Sequence, residues 1–74
     1  MRERLAAMSV FAQVVESKSF SAAAQKMGLS KSLVSRQVSA LERELAVKLL
    51  NRTTRRLSLT EAGAVFHEHC VRIV

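Results

Sequence analysis

The sequence predicts a mainly α fold: three short helices, a small hairpin and a fourth helix. Three observations predict it. Apolar residues recur at helical spacing through most of the chain. A glycine, Gly28, separates two helical segments by a turn of only a few residues. After Leu45 the period shortens toward two before the helical spacing returns. The 74 residues suffice for one small domain, which on folding buries only about 60% of the surface its unfolded chain exposes.

Leu5, Met8, Phe11, Ala12 and Val15 predict an amphipathic first helix of about four turns. Phe20 begins the next core layer. The run Ser21-Ala22-Ala23-Ala24-Gln25-Lys26-Met27 predicts a short second helix whose alanines let another helix cross closely. Ser19 or Ser21 serves as its N-cap, since a seryl oxygen accepts from the unpaired amides of a first turn. Gly28 ends that helix in the left-handed conformation, which costs glycine nothing. Leu29 returns to the core and Ser30 caps a third helix. Helix, glycine-containing turn, helix is the helix-turn-helix unit.

The third helix carries two chemistries. Val34, Val38, Leu41 and Leu45 form an apolar stripe for the core. Ser32, Ser35, Arg36, Ser39 and Arg43 share another face. A merely solvated face favours Glu and Lys in i,i+4 pairs, and serine is a mediocre helix former. Short hydroxyls let a helix backbone approach a groove, and Ser and Arg both bond bases or phosphates.

Beyond Leu45, Lys48-Leu49-Leu50-Asn51-Arg52 and Arg55-Arg56-Leu57-Ser58-Leu59 predict two short strands around a Thr53-Thr54 tip. Thr60 then caps a fourth helix, with Glu61 favourable against its N-terminal dipole. Ala62, Val65, Phe66, His69 and Ile73 make one stripe, broadened by Cys70 and Val74. Such a wide apolar stripe on a terminal helix suits a partner. Residues 1–60 are read as the domain and 61–74 as the start of a dimerising helix that belongs to a longer protein.

Charge is concentrated. Within residues 26–56, Lys26, Lys31, Arg36, Arg43, Lys48, Arg52, Arg55 and Arg56 stand against only Glu42 and Glu44, so this window holds the chain's whole formal charge of +6. Two flanking neutral helical segments and a basic centre are the footprint of a module that docks on a polyanion.

Other classes find little support. Asp, Tyr, Trp and Pro are lacking, and no motif links the remaining Glu, His, Cys and Ser into a nucleophile, base and orienting group, so an enzyme is not expected. His67 and Cys70 at i, i+3 are too few for a zinc site, and no cofactor is expected. Glu42 and Glu44 lie on different faces and make no acid–base pair. One cysteine excludes an intrachain disulfide and suggests a reducing compartment. No signal peptide and no run near the ~18 apolar residues of a membrane span is evident, so a cytoplasmic location is expected.

The segments Ser19-Phe20-Ser21-Ala22-Ala23-Ala24, Leu29-Ser30-Lys31-Ser32-Leu33-Val34-Ser35-Arg36-Gln37-Val38, Leu41-Glu42-Arg43-Glu44-Leu45 and Leu49-Leu50-Asn51-Arg52-Thr53-Thr54-Arg55-Arg56-Leu57-Ser58-Leu59-Thr60-Glu61-Ala62-Gly63 together carry a resemblance. In this order and spacing the chain resembles the N-terminal DNA-binding region of LysR-type transcriptional regulators of bacteria. The resemblance implies a three-helix winged helix-turn-helix with a short β-hairpin wing and a C-terminal linker helix that forms a homodimer. It implies double-stranded DNA as partner, and a small-molecule effector bound by a further C-terminal domain. Lys31, Ser32, Ser35, Arg36 and Ser39 would then face the major groove. Arg52, Thr53, Thr54, Arg55 and Arg56 of the wing would reach phosphates and the minor groove. Val65, Phe66, His69, Cys70 and Ile73 would form the dimer face. Two positions depart from the family pattern: Ala46 stands where glycine is usual, and Leu50 where Phe is common. A left-handed alanine costs on the order of 1 kcal/mol, so the third helix is expected to end differently here.

The alternative from another class is a winged helix that binds proteins. Its surface is expected to be less basic and its third helix poorer in serine.

Overall fold

The structure, a computed structural model, describes residues 2–52 and 57–73. Its elements run α1 (Arg2–Ser17), α2 (Phe20–Met27), α3 (Lys31–Leu45), β1 (Leu50–Arg52), β2 (Leu57–Leu59) and α4 (Glu61–Ile73). The expected order of three helices, hairpin and fourth helix is the observed one.

Helix α1 packs against α2, α3 and α4, so it needs apolar side chains around more than one stripe. Its buried residues are Ala7, Met8, Val10, Phe11 and Val14, with Ala12 and Val15 half-buried beside them. Leu5, placed in the core by its spacing, is instead 49% exposed. Ser9, Gln13, Glu16 and Ser17 mark a polar back, but the apolar residues cover a broad arc, so spacing alone permits overlapping stripes; the packing selects the one centred on Phe11, which is fully buried. Ala23 and Ala24 are buried in α2, which is how that short helix approaches its neighbours closely.

Side-chain caps start the helices. Ser19, not Ser21, caps α2, its Oγ accepting from the Ala22 amide at 3.1 Å. Ser30 caps α3 by accepting from Leu33 at the same distance. Helices α2 and α3 then end in one and the same way. The Gly28 and Leu29 amides donate back to the Gln25 and Ala24 carbonyls, and the Ala46 and Val47 amides to those of Arg43 and Glu42, a Schellman pair in each case. Gly28 has φ 69° and Ala46 φ 58°. So α3 keeps the left-handed stop despite its alanine. Its paired amides and the loop beyond hold the strained residue in place. Ala46→Gly is therefore expected to stabilise the chain by roughly 0.5–1 kcal/mol, relief of strain outweighing the extra freedom of the unfolded glycine. A urea titration checks this; an unchanged or lowered midpoint would show that Ala46 bears no strain.

The two strands pair antiparallel with Leu50 opposite Leu59, Asn51 opposite Ser58 and Arg52 opposite Leu57. Leu50 is buried and Leu57 and Leu59 are half-buried, while Asn51 and Ser58 point to solvent, the period-two alternation of a strand. Thr53, Thr54, Arg55 and Arg56 lie outside the described residues.

Helix α4 is seated by Thr60 and Gly63. Thr60 Oγ1 accepts from the Gly63 amide at 2.9 Å and donates to the Lys48 carbonyl. The Thr60 amide donates to the Leu49 carbonyl at 3.0 Å. From that joint α4 runs back along α1, where Phe66 meets Phe11 with ring centroids 5.7 Å apart. The α4 stripe is thus divided between the core and the surface. Phe66 packs on the chain's own core, and Cys70 is fully buried in it. Cys70 has no exposed surface, whereas Phe66 is half-buried. Burial pushes the Cys70 thiol up from its ordinary value, in opposition to a smaller lowering by a backbone hydrogen bond. The His67 ring stands edge-on to Phe11 at 6.3 Å, with its Nε2 buried and without a hydrogen-bond partner among the described residues. Val65 and Val71 are 54% and 57% exposed, and His69 is exposed beside them. The Ile73 side chain lies outside the described residues.

Candidate nucleic-acid interface

The orientation of α3 is set by the turn between α2 and α3. Gly28 reverses the chain, Ser30 fixes the first turn of α3, and Val34, Val38 and Leu41 lock one side of that helix into the core. A helix anchored on one side presents the other. Lys31, Ser32 and Arg36 are exposed there, and Ser35 and Ser39 are half-buried along the same edge. Thus the structure brings together all five of the α3 residues expected to meet the duplex. No carboxylate among the described residues lies within ion-pair distance of Lys31 or Arg36.

The two carboxylates of the basic window are occupied elsewhere. Glu44 pairs with Arg4 of α1. Glu42 turns into the loop after α3, where one oxygen, Oε2, accepts from the Leu49 amide at 2.8 Å and the Leu50 amide at 3.1 Å. Its second oxygen stands 3.6 Å from Arg52 Nη2. Charged acceptors make the stronger class of hydrogen bond, and this one gathers α3 and both residues that lead into the wing. The sequence reading gave Glu42 no role. Its partners lie seven and eight residues away across a turn, a relation no helical spacing encodes.

Arg52, one of the residues expected to reach the duplex from the wing, also makes contacts within the domain. Its guanidinium covers the Phe20 ring at 4.7 Å and donates from Nη1 to Ser35 Oγ at 3.1 Å. Thr53, Thr54, Arg55 and Arg56, the rest of the expected wing contacts, lie outside the described residues. Among the described residues no three His, Cys or carboxylate side chains gather as a metal site, and no helix is long and apolar enough to cross a membrane.

Comparison with known proteins agrees with this geometry. The sequence model of the family described as "Bacterial regulatory helix-turn-helix protein, lysR family" matches residues 5–64. An HTH-type transcriptional regulator of Xanthomonas campestris pv. campestris is 61% identical over 64 residues, covering 86% of this chain and 19% of that protein. The HTH-type transcriptional activator AaeR of Escherichia coli K12 is 56% identical over 72 residues, 97% of this chain and 23% of that protein. The chain thus spans about a fifth of the length of these curated relatives. Among solved structures, the BenM DNA-binding domain in complex with catB site 1 DNA superposes with a TM-score of 0.90 at 35% identity, covering 93% of this chain and 78% of that one. The CbnR DNA-binding domain in its DNA complex gives 0.89 at 38% identity, covering 93% and 79%.

Proposed function

The chain belongs to the lysR family of bacterial regulatory helix-turn-helix proteins, and from that premise we propose that it binds duplex DNA sequence-specifically as the DNA-binding part of a transcriptional regulator. One observation carries the reading: α3 presents Lys31, Ser32, Ser35, Arg36 and Ser39 on a single edge that its own carboxylates do not neutralise. The likeness to two domains solved in DNA complexes supports it. In this reading α3 enters the major groove. Arg36 bonds a guanine edge or a phosphate, Ser32 and Ser35 bond at short range, and Lys31 holds backbone phosphate. Arg55 and Arg56, with Thr53 and Thr54, reach phosphates and the narrow minor groove beside it, where negative potential attracts arginine.

Phosphate contacts supply affinity and base contacts supply selectivity. Fluorescence anisotropy with random duplex, titrated from low to high salt, tests the first part. A log–log slope of about −0.9 per phosphate neutralised is expected. No binding even at low salt would transfer the basic surface to a protein partner. The two parts separate by mutation. Arg36→Ala is expected to lower the ratio of selected to random duplex affinity about tenfold. The pair Arg55→Ala with Arg56→Ala is expected to weaken both duplexes alike and reduce the salt slope by about two. An unchanged slope in that double variant would remove the wing from this account.

The full regulator pairs as a homodimer through the outward side of α4, where Val65, His69 and Val71 stand exposed. A small-molecule effector would act through a further domain, in the cytoplasm where bacterial DNA lies. Two recognition helices would then enter major grooves about one helical turn, or a multiple of it, apart. Light scattering checks the pairing: Val65→Asp with Val71→Asp is expected to convert a dimer to a monomer. A chain that is strictly monomeric at high concentration before mutation would remove α4 as the pairing surface.

A further inference from the structure

Three side chains hold Arg52, and they come from two helices that flank the wing. Phe20 of α2 lies under its guanidinium, Ser35 of α3 accepts from Nη1, and Glu42 near the end of α3 faces Nη2. The side chain is 30% exposed and that of Glu42 only 13%. A planar guanidinium with donors in a fixed fork suits such a hold, and the compact, flexible ammonium of lysine does not. An arginine serving phosphate needs its fork free; here Nη1 is bonded to Ser35 and Nη2 stands 3.6 Å from the Glu42 carboxylate, so one side of the fork is turned inside the domain.

Building on the DNA-binding reading above, we infer that Arg52 is a positioning residue that sets the wing's first strand against the recognition helix and makes Ser35 a hydrogen-bond donor toward the duplex. A seryl hydroxyl has one donor and two acceptor lone pairs. With an Arg52 N–H on one lone pair, the hydroxyl proton turns away from the guanidinium, and the adjacent positive charge favours an electron-rich partner. The fitting partner is an acceptor: purine N7, guanine O6 or thymine O4 on the groove floor, or a phosphate oxygen. The amino groups of cytosine and adenine are donors and compete poorly opposite Ser35. Arg52 thereby influences which bases are read without touching one.

The test uses the 74-residue chain, a duplex it selects from a random pool, and a random duplex, with Kd followed by anisotropy across salt. Arg52→Gln and Ser35→Ala are each expected to weaken binding to the selected duplex about tenfold, the double variant no further than either single one. The salt slope of Arg52→Gln is expected to equal that of the parent chain. A loss confined to the selected duplex assigns the Ser35 proton to a base; an equal loss on both duplexes assigns it to a phosphate oxygen. Losses that multiply in the double variant overturn the inference, as does a salt slope lowered by about one, which would mark Arg52 as a phosphate ligand itself. Arg52→Lys keeps the charge and loses the fork, so it provides the same test should Arg52→Gln melt below the assay temperature. Parent-like affinity in Arg52→Lys also overturns the inference. Failure of the parent chain to bind duplex at low salt is the separate failure of the DNA-binding reading, and the inference falls with it.

Discussion

Gly63→Ala is expected to lower stability by about 3 kcal/mol, the upper end of what forced overpacking costs, and Tm by about 12 °C or more for a domain this small. Helix propensity argues the opposite sign, since alanine is better than glycine by about 1 kcal/mol inside a helix. Sterics decide it. A Cβ at position 63 would lie 2.0 Å from the Leu49 carbonyl oxygen, 2.9 Å from its carbonyl carbon and 3.1 Å from Leu59 Cδ2. The first two atoms are backbone and cannot rotate aside. Leu49 is itself fully buried and its carbonyl already accepts from Thr60, so relief requires α4 to lift and carry Phe66 and Cys70 out of the core. Gly28 is the control, because a Cβ there meets nothing within 4 Å and only the φ of 69° resists it. Gly28→Ala is expected to cost about 1 kcal/mol. Thermal melts followed by circular dichroism rank the two; Gly28→Ala as the worse variant would refute the steric account.

The second large effect is expected at Glu42. Glu42→Ala removes the acceptor of two amides, those of Leu49 and Leu50, whose side chains are buried, and strips Arg52 of its carboxylate. A fully buried donor left unmade costs about 1–3 kcal/mol; these two are part-buried, so a loss of roughly 2–4 kcal/mol, below the sum of two upper values, is expected. Glu42→Gln keeps a carbonyl oxygen for one or both amides and is expected to lose about half as much. Urea unfolding gives the magnitudes, and hydrogen exchange gives the location: the Leu49 and Leu50 amides should exchange faster in Glu42→Ala while α1 remains protected. A loss under about 0.5 kcal/mol in Glu42→Ala would mean that water replaces the carboxylate without penalty.

Which features were legible in the sequence follows from how local their causes are. Gly28, Ser30 and Thr60 act within one turn of themselves, and their stops and caps stand where the sequence places them. The buried stripe of Val34, Val38 and Leu41 was legible because the opposite face of α3 is polar, leaving one orientation. Helix α1 has a polar back but a wide apolar arc, so a stripe that includes Leu5 competes with the one through Val10 and Val14 that the packing buries. In α4 the spacing located an apolar stripe without dividing it between core and partner. Only the packing of Phe66 against Phe11 assigns Phe66 and Cys70 inward. The exposed basic edge of α3 was readable from Ser32, Ser35 and Arg36. The commitments of Arg52 and Glu42 were not, because they depend on where a loop returns in space.

The joint at Thr60 and Gly63 also acts as the fulcrum of a lever. Helix α4 has 13 residues, a rod about 20 Å long at 1.5 Å per residue. If two copies pair along such rods, any tilt at the fulcrum is multiplied at the far end. A tilt of about 10° moves the tip by roughly 3.4 Å, the rise of a single base pair. The spacing of DNA sites that a dimer tolerates is then set less by the surfaces touching DNA than by how stiffly Thr60 and Gly63 hold one end of the helix and how firmly Phe66 and Cys70 seat it on α1.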